Sequence, residues 1–270
     1  MRSTTNPSSL RRRALFPALA LTVPLAATAG CMEEMPGENE PGGTMVEALE
    51  AANGLKAING MKAYNGLAST GTGLTVTGGL KTSMGLANGS GLMASVDGRT
   101  TVEYLVRCAL PAGRAISKVD QDGNLRTFQG QIGLAPEWES SSCGPTCQRW
   151  VSACMLSLVN TTGAHVPLWM VAQKPVIGWG LDPAFRYQEG AFFGNIFASP
   201  SAAYFCGGRD FGVNPIPGRI GSAQGAVPYS DLYGPRGLCI GTCTAADNPH
   251  SGEGFKACSG WNEVINIWHQ

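Results

Sequence analysis

Nine cysteines in a chain of 270 residues constrain this sequence more than any other feature. Eight of them, Cys108, Cys143, Cys147, Cys154, Cys206, Cys239, Cys243 and Cys258, fall in the last two thirds of the chain, and Cys31 stands apart near the start. A basic stretch ending at Arg13, an apolar run from Ala14 to Ala29 and small residues at its end read as a secretory signal peptide over residues 1–30. It is too short and wrongly flanked for a membrane span. Export would carry the cysteines into an oxidising compartment, where an even set of eight pairs completely and the ninth is left over.

The surplus cysteine has a chemistry of its own. Thr28-Ala29-Gly30-Cys31 resembles the bacterial lipobox, in which the cysteine is diacylated and becomes the mature N-terminus, although Thr28 departs from the aliphatic residue usual there. Ordinary cleavage after Ala29 is the competing reading, and it leaves Cys31 unpaired. Two acyl chains suffice for stable anchoring. Met32, Glu33 and Glu34 follow rather than aspartate, which resembles the sorting signal for the outer membrane. The expected location is an outer-membrane lipoprotein, periplasmic or surface-facing, whose membrane partner is reached through Cys31.

The leader holds four arginines, so the mature chain has 19 − 4 = 15 basic against 19 acidic side chains. That balance argues against nucleic-acid binding. Glycine is abundant at 37 residues while charged residues make up 14%. Low charge with high glycine points to a loop-rich fold rather than a helical bundle.

Residues 31–99 read as a flexible tether followed by a stalk. Glu33 to Thr44 is rich in Pro, Gly and Glu with almost nothing to bury. Gly-Leu or Gly-Met then recurs at Gly54-Leu55, Gly60-Met61, Gly66-Leu67, Gly73-Leu74, Gly79-Leu80, Gly85-Leu86 and Gly91-Leu92. A six-residue period could stack leucines on a small β-solenoid. The alternative is a low-complexity stalk, which is the reading adopted, because the repeat allows barely more than two coils.

With Tyr104-Leu105-Val106-Arg107-Cys108, Gly133-Leu134-Ala135-Pro136, Trp150-Val151-Ser152-Ala153-Cys154 and Glu189-Gly190-Ala191-Phe192-Phe193-Gly194-Asn195, the repeat resembles exported bacterial lipoproteins in which Asn-Gly-Leu tandem repeats precede a cysteine-containing domain. The resemblance implies a family but no activity, catalytic residue or fold.

Residues 100–270 form the expected disulfide-bonded globular domain. Cys143 to Gly163 reads as a buried helix, with Trp150, Val151, Cys154, Met155 and Leu158 at helical spacing, Thr146 as N-cap, and Asn160 and Gly163 as exit signals. Val102 to Leu110 reads as a short helix. Ala115–Val119 and Leu125–Phe128 flank Asp120-Gln121-Asp122-Gly123 as a hairpin. Residues 165–171 read as a strand near an edge because of Pro167. Residues 190–197, 202–206 and 264–265 supply further short strands. The expected class is α+β: an antiparallel sheet of short strands packed around one or two helices, disulfide-stabilised and loop-rich. The expected bridges are Cys108–Cys154, Cys143–Cys147, Cys206–Cys258 and Cys239–Cys243.

The functional reading is a non-catalytic binding or structural role at the cell envelope, with an envelope protein or glycan as partner. Trp179 and Tyr187, in glycine-rich surroundings that favour exposure, are the ligand-binding candidates. The alternative is an extracytoplasmic Cys-His hydrolase. Cys143-Gly144-Pro145-Thr146-Cys147 superficially resembles the nucleophile region of papain-like proteases, giving Cys147, His250 and Asn262 as catalytic candidates. Its spacing departs from that pattern by one residue between the cysteines. Cys239, Cys243, Cys258 and His250 could close a zinc tetrahedron, but export favours disulfides and no metal is expected. Glu189, Asp182 and Asp210 are isolated carboxylates that no spacing rule pairs. Neither Rossmann nor P-loop glycine patterns occur, so no cofactor is expected.

Overall fold

The computed structural model describes residues 71–160, 162–219 and 239–270, and the backbone of residues 50–53. All of them belong to one compact unit spanning residues 44–270. The fold is α+β, with antiparallel pairing throughout its strand ladders and four disulfides.

Its centre is a five-stranded sheet in the order β1-β4-β9-β5-β6, made of Glu50–Asn53 (β1), Val166–Val171 (β4), Ile265–His269 (β9), Tyr187–Asn195 (β5) and Ala202–Gly207 (β6). Period-two alternation divides the side chains of β4, β5, β6 and β9 between the two faces of the sheet. Leu168, Met170, Phe192, Ala203, Ile265 and Ile267 face the main core under two helices, Val96–Ala109 (α1) and Pro145–Ser157 (α2). Ala191, Phe193 and Cys206 face the opposite side, where a ribbon of Cys243–Ala245 (β7) and Phe255–Cys258 (β8) covers them. Trp169, Val171 and Trp268 form a third cluster with Phe185 and Trp179. Both faces of β5 and β9 are therefore buried, which explains why these strands read as continuous apolar runs.

Asn266 ties the ribbon to the sheet. Its Oδ1 accepts the Phe255 N–H at 2.9 Å, and its Nδ2 donates to the carbonyls of Phe255 at 2.9 Å and Val171 at 3.3 Å. A carboxamide presents donor and acceptor side by side, so it substitutes for one rung of a ladder where no strand can fit.

Helix α2 starts earlier and ends sooner than its sequence pattern suggests. Gly144 is the N-cap and makes no side-chain cap bond, while Pro145 opens the helix with a φ already suited to it. Thr146 lies inside the first turn instead of capping it. The helix ends at Ser157 with Leu158 as C-cap. Asn160 turns inward, where its Oδ1 accepts from the Thr162 backbone N–H at 2.9 Å and its Nδ2 donates to the Pro217 carbonyl at 3.2 Å. Cys108 of α1 and Cys154 of α2 are bonded, stapling the two helices across the core.

The hairpin of Ala115–Val119 (β2) and Leu125–Gln129 (β3) forms in the register its turn dictates, with Val119 opposite Leu125. Asp120 holds that turn: its Oδ1 accepts the N–H groups of Asp122 at 3.0 Å and Asn124 at 2.9 Å, and its Oδ2 takes the Arg126 guanidinium at 2.8 Å. Pro167 lies where β9 no longer reaches. Within β4 that strand pairs only with Trp169–Val171, so the missing Pro167 N–H costs the β4–β9 ladder nothing. The other neighbour of β4 is β1, whose polar and alanine-rich sequence gave no strand signal.

The repeat departs most from its sequence reading. Leu74, Leu80, Leu86 and Leu92 are buried in the main core, Leu80 and Leu86 completely, so the domain begins well before residue 100 and the last four copies are part of it. They do not coil as a solenoid either, because Leu74 bridges Leu86 in antiparallel fashion. The period has a different cause. Each leucine enters the core while the glycine before it allows backbone to pass against backbone: a Cβ on Gly79 would lie inside 3.0 Å of the Ser140 backbone, and one on Gly85 inside that distance of the Gly79 carbonyl. Lys118 completes the packing from β2. Its buried ammonium donates to the carbonyls of Lys81 at 3.1 Å, Thr82 at 2.7 Å and Leu86 at 2.6 Å, and burial pulls its pKa down. The copies at Leu55, Met61 and Leu67, like the leader, Cys31 and most of the tether, lie outside the described residues.

Candidate functional site

The cysteines are the first test of the chemistry expected from the sequence. Cys143 is bonded to Cys147, so Cys147 carries no thiolate and the Cys-His alternative has no nucleophile at that position. Two expected bridges are replaced by others: Cys206 is bonded to Cys239 and Cys243 to Cys258. The ladder decides this. β7 and β8 place Cys243 opposite Cys258 with Cα atoms 4.0 Å apart. The Cys239 N–H donates to Gly207 at the end of β6, which brings it to Cys206 at a Cα separation of 5.0 Å. The sulfurs of Cys206, Cys239 and Cys243 lie within 4.8 Å of one another. Zinc needs thiolates, and these sulfurs are bonded.

His250 is held by residues the sequence reading did not connect to it. Its Nδ1 meets Glu253 Oε1 at 2.8 Å, and the ring stacks on Trp179 with centroids 6.3 Å apart and planes 18° apart. A carboxylate can only accept, so Nδ1 donates its proton to Glu253 and Nε2 is turned away from that pair. The His250 side chain is 37% exposed. Glu253 is fixed in turn, since its Oε2 accepts the Gly180 N–H at 2.5 Å and its carbonyl accepts Trp268 Nε1 at 2.9 Å. Trp169 Nε1 donates to the Gly180 carbonyl at 2.9 Å. Trp169, Trp268 and Glu253 thus clamp the loop around Trp179 and leave its partly buried indole beside an oriented imidazole. Asn262, the third member of the catalytic alternative, is exposed, and His250 takes its orientation from Glu253.

Trp179 and Tyr187 do not form one surface. Trp179 belongs to the cluster around Trp268, whereas Tyr187 stacks on His269 with centroids 5.4 Å apart. Consecutive residues of β9 point to opposite faces, so the two candidates lie on opposite sides of the sheet.

The isolated carboxylates have structural partners. Glu189 is buried in a bidentate pair with Arg219, whose Nη1 also donates to the carbonyls of Ser157 at 2.9 Å and Val159 at 3.0 Å at the end of α2. A cation at that position also complements the helix dipole. Asp182 Oδ1 accepts the Ala184 N–H at 2.8 Å. Asp210 accepts the Gln188 N–H at 2.9 Å and pairs with Arg209; burial pushes its carboxyl up, but Arg209 and that N–H together hold it below the usual value.

One under-satisfied pair was not legible in the sequence. Arg149 Nη1 lies 3.8 Å from Glu263 Oε2, and neither that oxygen nor Arg149 Nε has a hydrogen-bond partner among the described residues. Trp261 lies over the Arg149 guanidinium at 5.1 Å and packs on Tyr204. The two charged residues stand 114 positions apart, so no local pattern could have joined them.

No helix among the described residues is long and apolar enough to cross a membrane. Comparison with protein-family models, with curated proteins and with solved structures gives no match.

Proposed function

We propose that the chain is an exported lipoprotein, anchored at the outer membrane through Cys31, whose disulfide-bonded domain binds an envelope component and is not a catalyst. The observation that carries this reading is the cysteine count. Four bridges use eight of the nine cysteines, leaving only Cys31 in the motif that resembles a lipobox. The repeat-containing lipoproteins that the chain resembles fit the same reading.

The contact surface we assign is the Trp179–His250–Glu253 corner. An indole face suits the apolar face of a sugar ring, and the His250 Nε2 suits its hydroxyls, which favours an envelope glycan. Fractionation of cells expressing the natural chain and Cys31→Ser tests the anchor: the natural chain should sediment with membranes and take up labelled palmitate, and the variant should do neither. Equal palmitate labelling of both would refute the anchor. Co-sedimentation with purified envelope glycan tests the corner, where Trp179→Ala should remove binding without unfolding the domain. Undiminished binding would refute the surface.

A further inference from the structure

Strand β3 has an unused edge beside helix α1. The hydrogen-bonding parity of the hairpin is fixed at both ends, because Gly130 N–H donates to Arg114 O at 2.7 Å and Asp120 N–H to Asn124 O at 2.9 Å. Even-numbered residues of β3 therefore bond to β2, and Leu125, Thr127 and Gln129 turn their N–H and C=O groups outward. The same parity turns Val119 of β2 outward, and there the edge is filled: its N–H donates to Asn88 Oδ1 at 3.0 Å and its carbonyl accepts the Gly89 N–H at 2.9 Å. Among the described residues, nothing fills the outward groups of Leu125, Thr127 and Gln129.

A groove of about 660 Å³ runs along this edge between β3 and α1. One wall is the helical face of Val96, Arg99, Thr100, Glu103 and Arg107, and the other is Arg126 to Gln129. From Val96 to Arg107 the helix rises about 16 Å, and five strand residues extend about 17 Å. The slot therefore matches an extended segment of about five residues. Three arginines and one glutamate line it. Glu103 is paired with Arg107 and the buried Asp120 with Arg126, which leaves Arg99 as net positive charge over an open row of backbone groups. Val96 and Leu125, each 69% exposed, offer apolar contacts.

We infer that this groove is a docking site for an extended peptide segment bearing acidic side chains, which adds to β3 as a third strand and places its carboxylates against the arginines. Main-chain bonds to Thr127 and its odd-numbered neighbours supply the affinity, and the arginines select the charge.

The test uses the mature chain and fluorescent acetyl-Val-Glu-Val-Glu-Val-Glu-Val-amide, its lysine counterpart, and an acidic version N-methylated at alternate amides, read by fluorescence anisotropy. Thr127→Pro removes one outward N–H at an edge where proline is tolerated, and unchanged circular dichroism and melting midpoint show that the variant is folded. The acidic peptide should bind saturably, while Thr127→Pro, N-methylation or the lysine sequence should each weaken it about tenfold or more. Binding that ignores both Thr127→Pro and N-methylation would overturn the proposal, as would equal affinity for the lysine peptide or no saturable binding. A dimer of this chain that Thr127→Pro dissolves, in place of peptide binding, would overturn it in favour of edge pairing between copies.

Discussion

The burial of the repeat leucines makes a sharp prediction for Leu80. Its side chain has 0% relative exposure and belongs to the same cluster as Trp138 and Leu86. Truncation to alanine removes three carbons from a packed site whose surrounding backbone is held by glycine contacts and cannot easily collapse. Leu80→Ala should therefore cost about 3–5 kcal/mol, within the range for fully buried leucines. Urea unfolding of the non-reduced protein, followed by tryptophan fluorescence, reads this directly. With a slope of about 1–3 kcal/mol per molar, the midpoint should fall by about 1 M or more. Met84, four residues on and 70% exposed, is the control, and Met84→Ala should change stability by less than about 0.5 kcal/mol. A Leu80→Ala midpoint within error of Met84→Ala would refute the placement of the repeat in the core and restore the stalk.

Further expectations follow from the same contacts. Gly85→Ala forces a Cβ against the Gly79 carbonyl and should destabilise by at least about 2 kcal/mol in the same unfolding assay, since backbone rather than a flexible side chain must move. Arg219→Met leaves the buried Glu189 carboxylate unpaired and should cost about 3–5 kcal/mol; restoring stability in the Glu189→Gln/Arg219→Met double variant would attribute the loss to the lone charge. Burial pushes the Asp120 carboxyl up, but Arg126 and the N–H groups of Asn124 and Asp122 outweigh it and hold its pKa at about 2 instead of 3.8. Because the folded value is depressed, Asp120 contributes stability that is present above about pH 4 and lost as pH falls towards 2. Thermal melts from pH 5 to pH 2 should show a shallower loss for Asp120→Asn than for the natural chain.

What the sequence made legible was local. The hairpin followed from Asp120-Gln121-Asp122-Gly123, because turn chemistry and register travel together over a dozen residues. Helix α2 followed from its apolar periodicity, and Cys143–Cys147 from proximity within one turn. Cys243–Cys258 depends on a ladder of three- and four-residue strands, whose period is too short to register, and Cys206–Cys239 on a backbone bond between Cys239 and Gly207 that no sequence pattern announces. The place of the repeat was illegible for a more general reason. Glycine every six residues interrupts a helix, and the repeat is barely long enough for two coils of a solenoid, so the pattern matches no regular element. In the folded chain, glycine is what lets irregular backbone pack at contact distance while leucine fills the core. The candidate corner was half legible: Trp179 and His250 each stand out in the sequence, but their meeting is long-range, and the Glu253 that orients His250 sits only three residues away, where an acidic side chain looks like ordinary surface. The groove beside β3 could not be read at all, because an unused edge is a property of pairing parity and not of composition.

In the proposed lipoprotein, eight sulfurs are bonded and the ninth carries lipid. Mass spectrometry of the mature protein, digested without reduction after alkylation, measures both halves together. The expected result is an acylated N-terminal Cys31, no alkylated thiol, and cross-linked peptides joining Cys108 to Cys154, Cys143 to Cys147, Cys206 to Cys239 and Cys243 to Cys258. An unacylated N-terminus, or an alkylated cysteine within the domain, would contradict it.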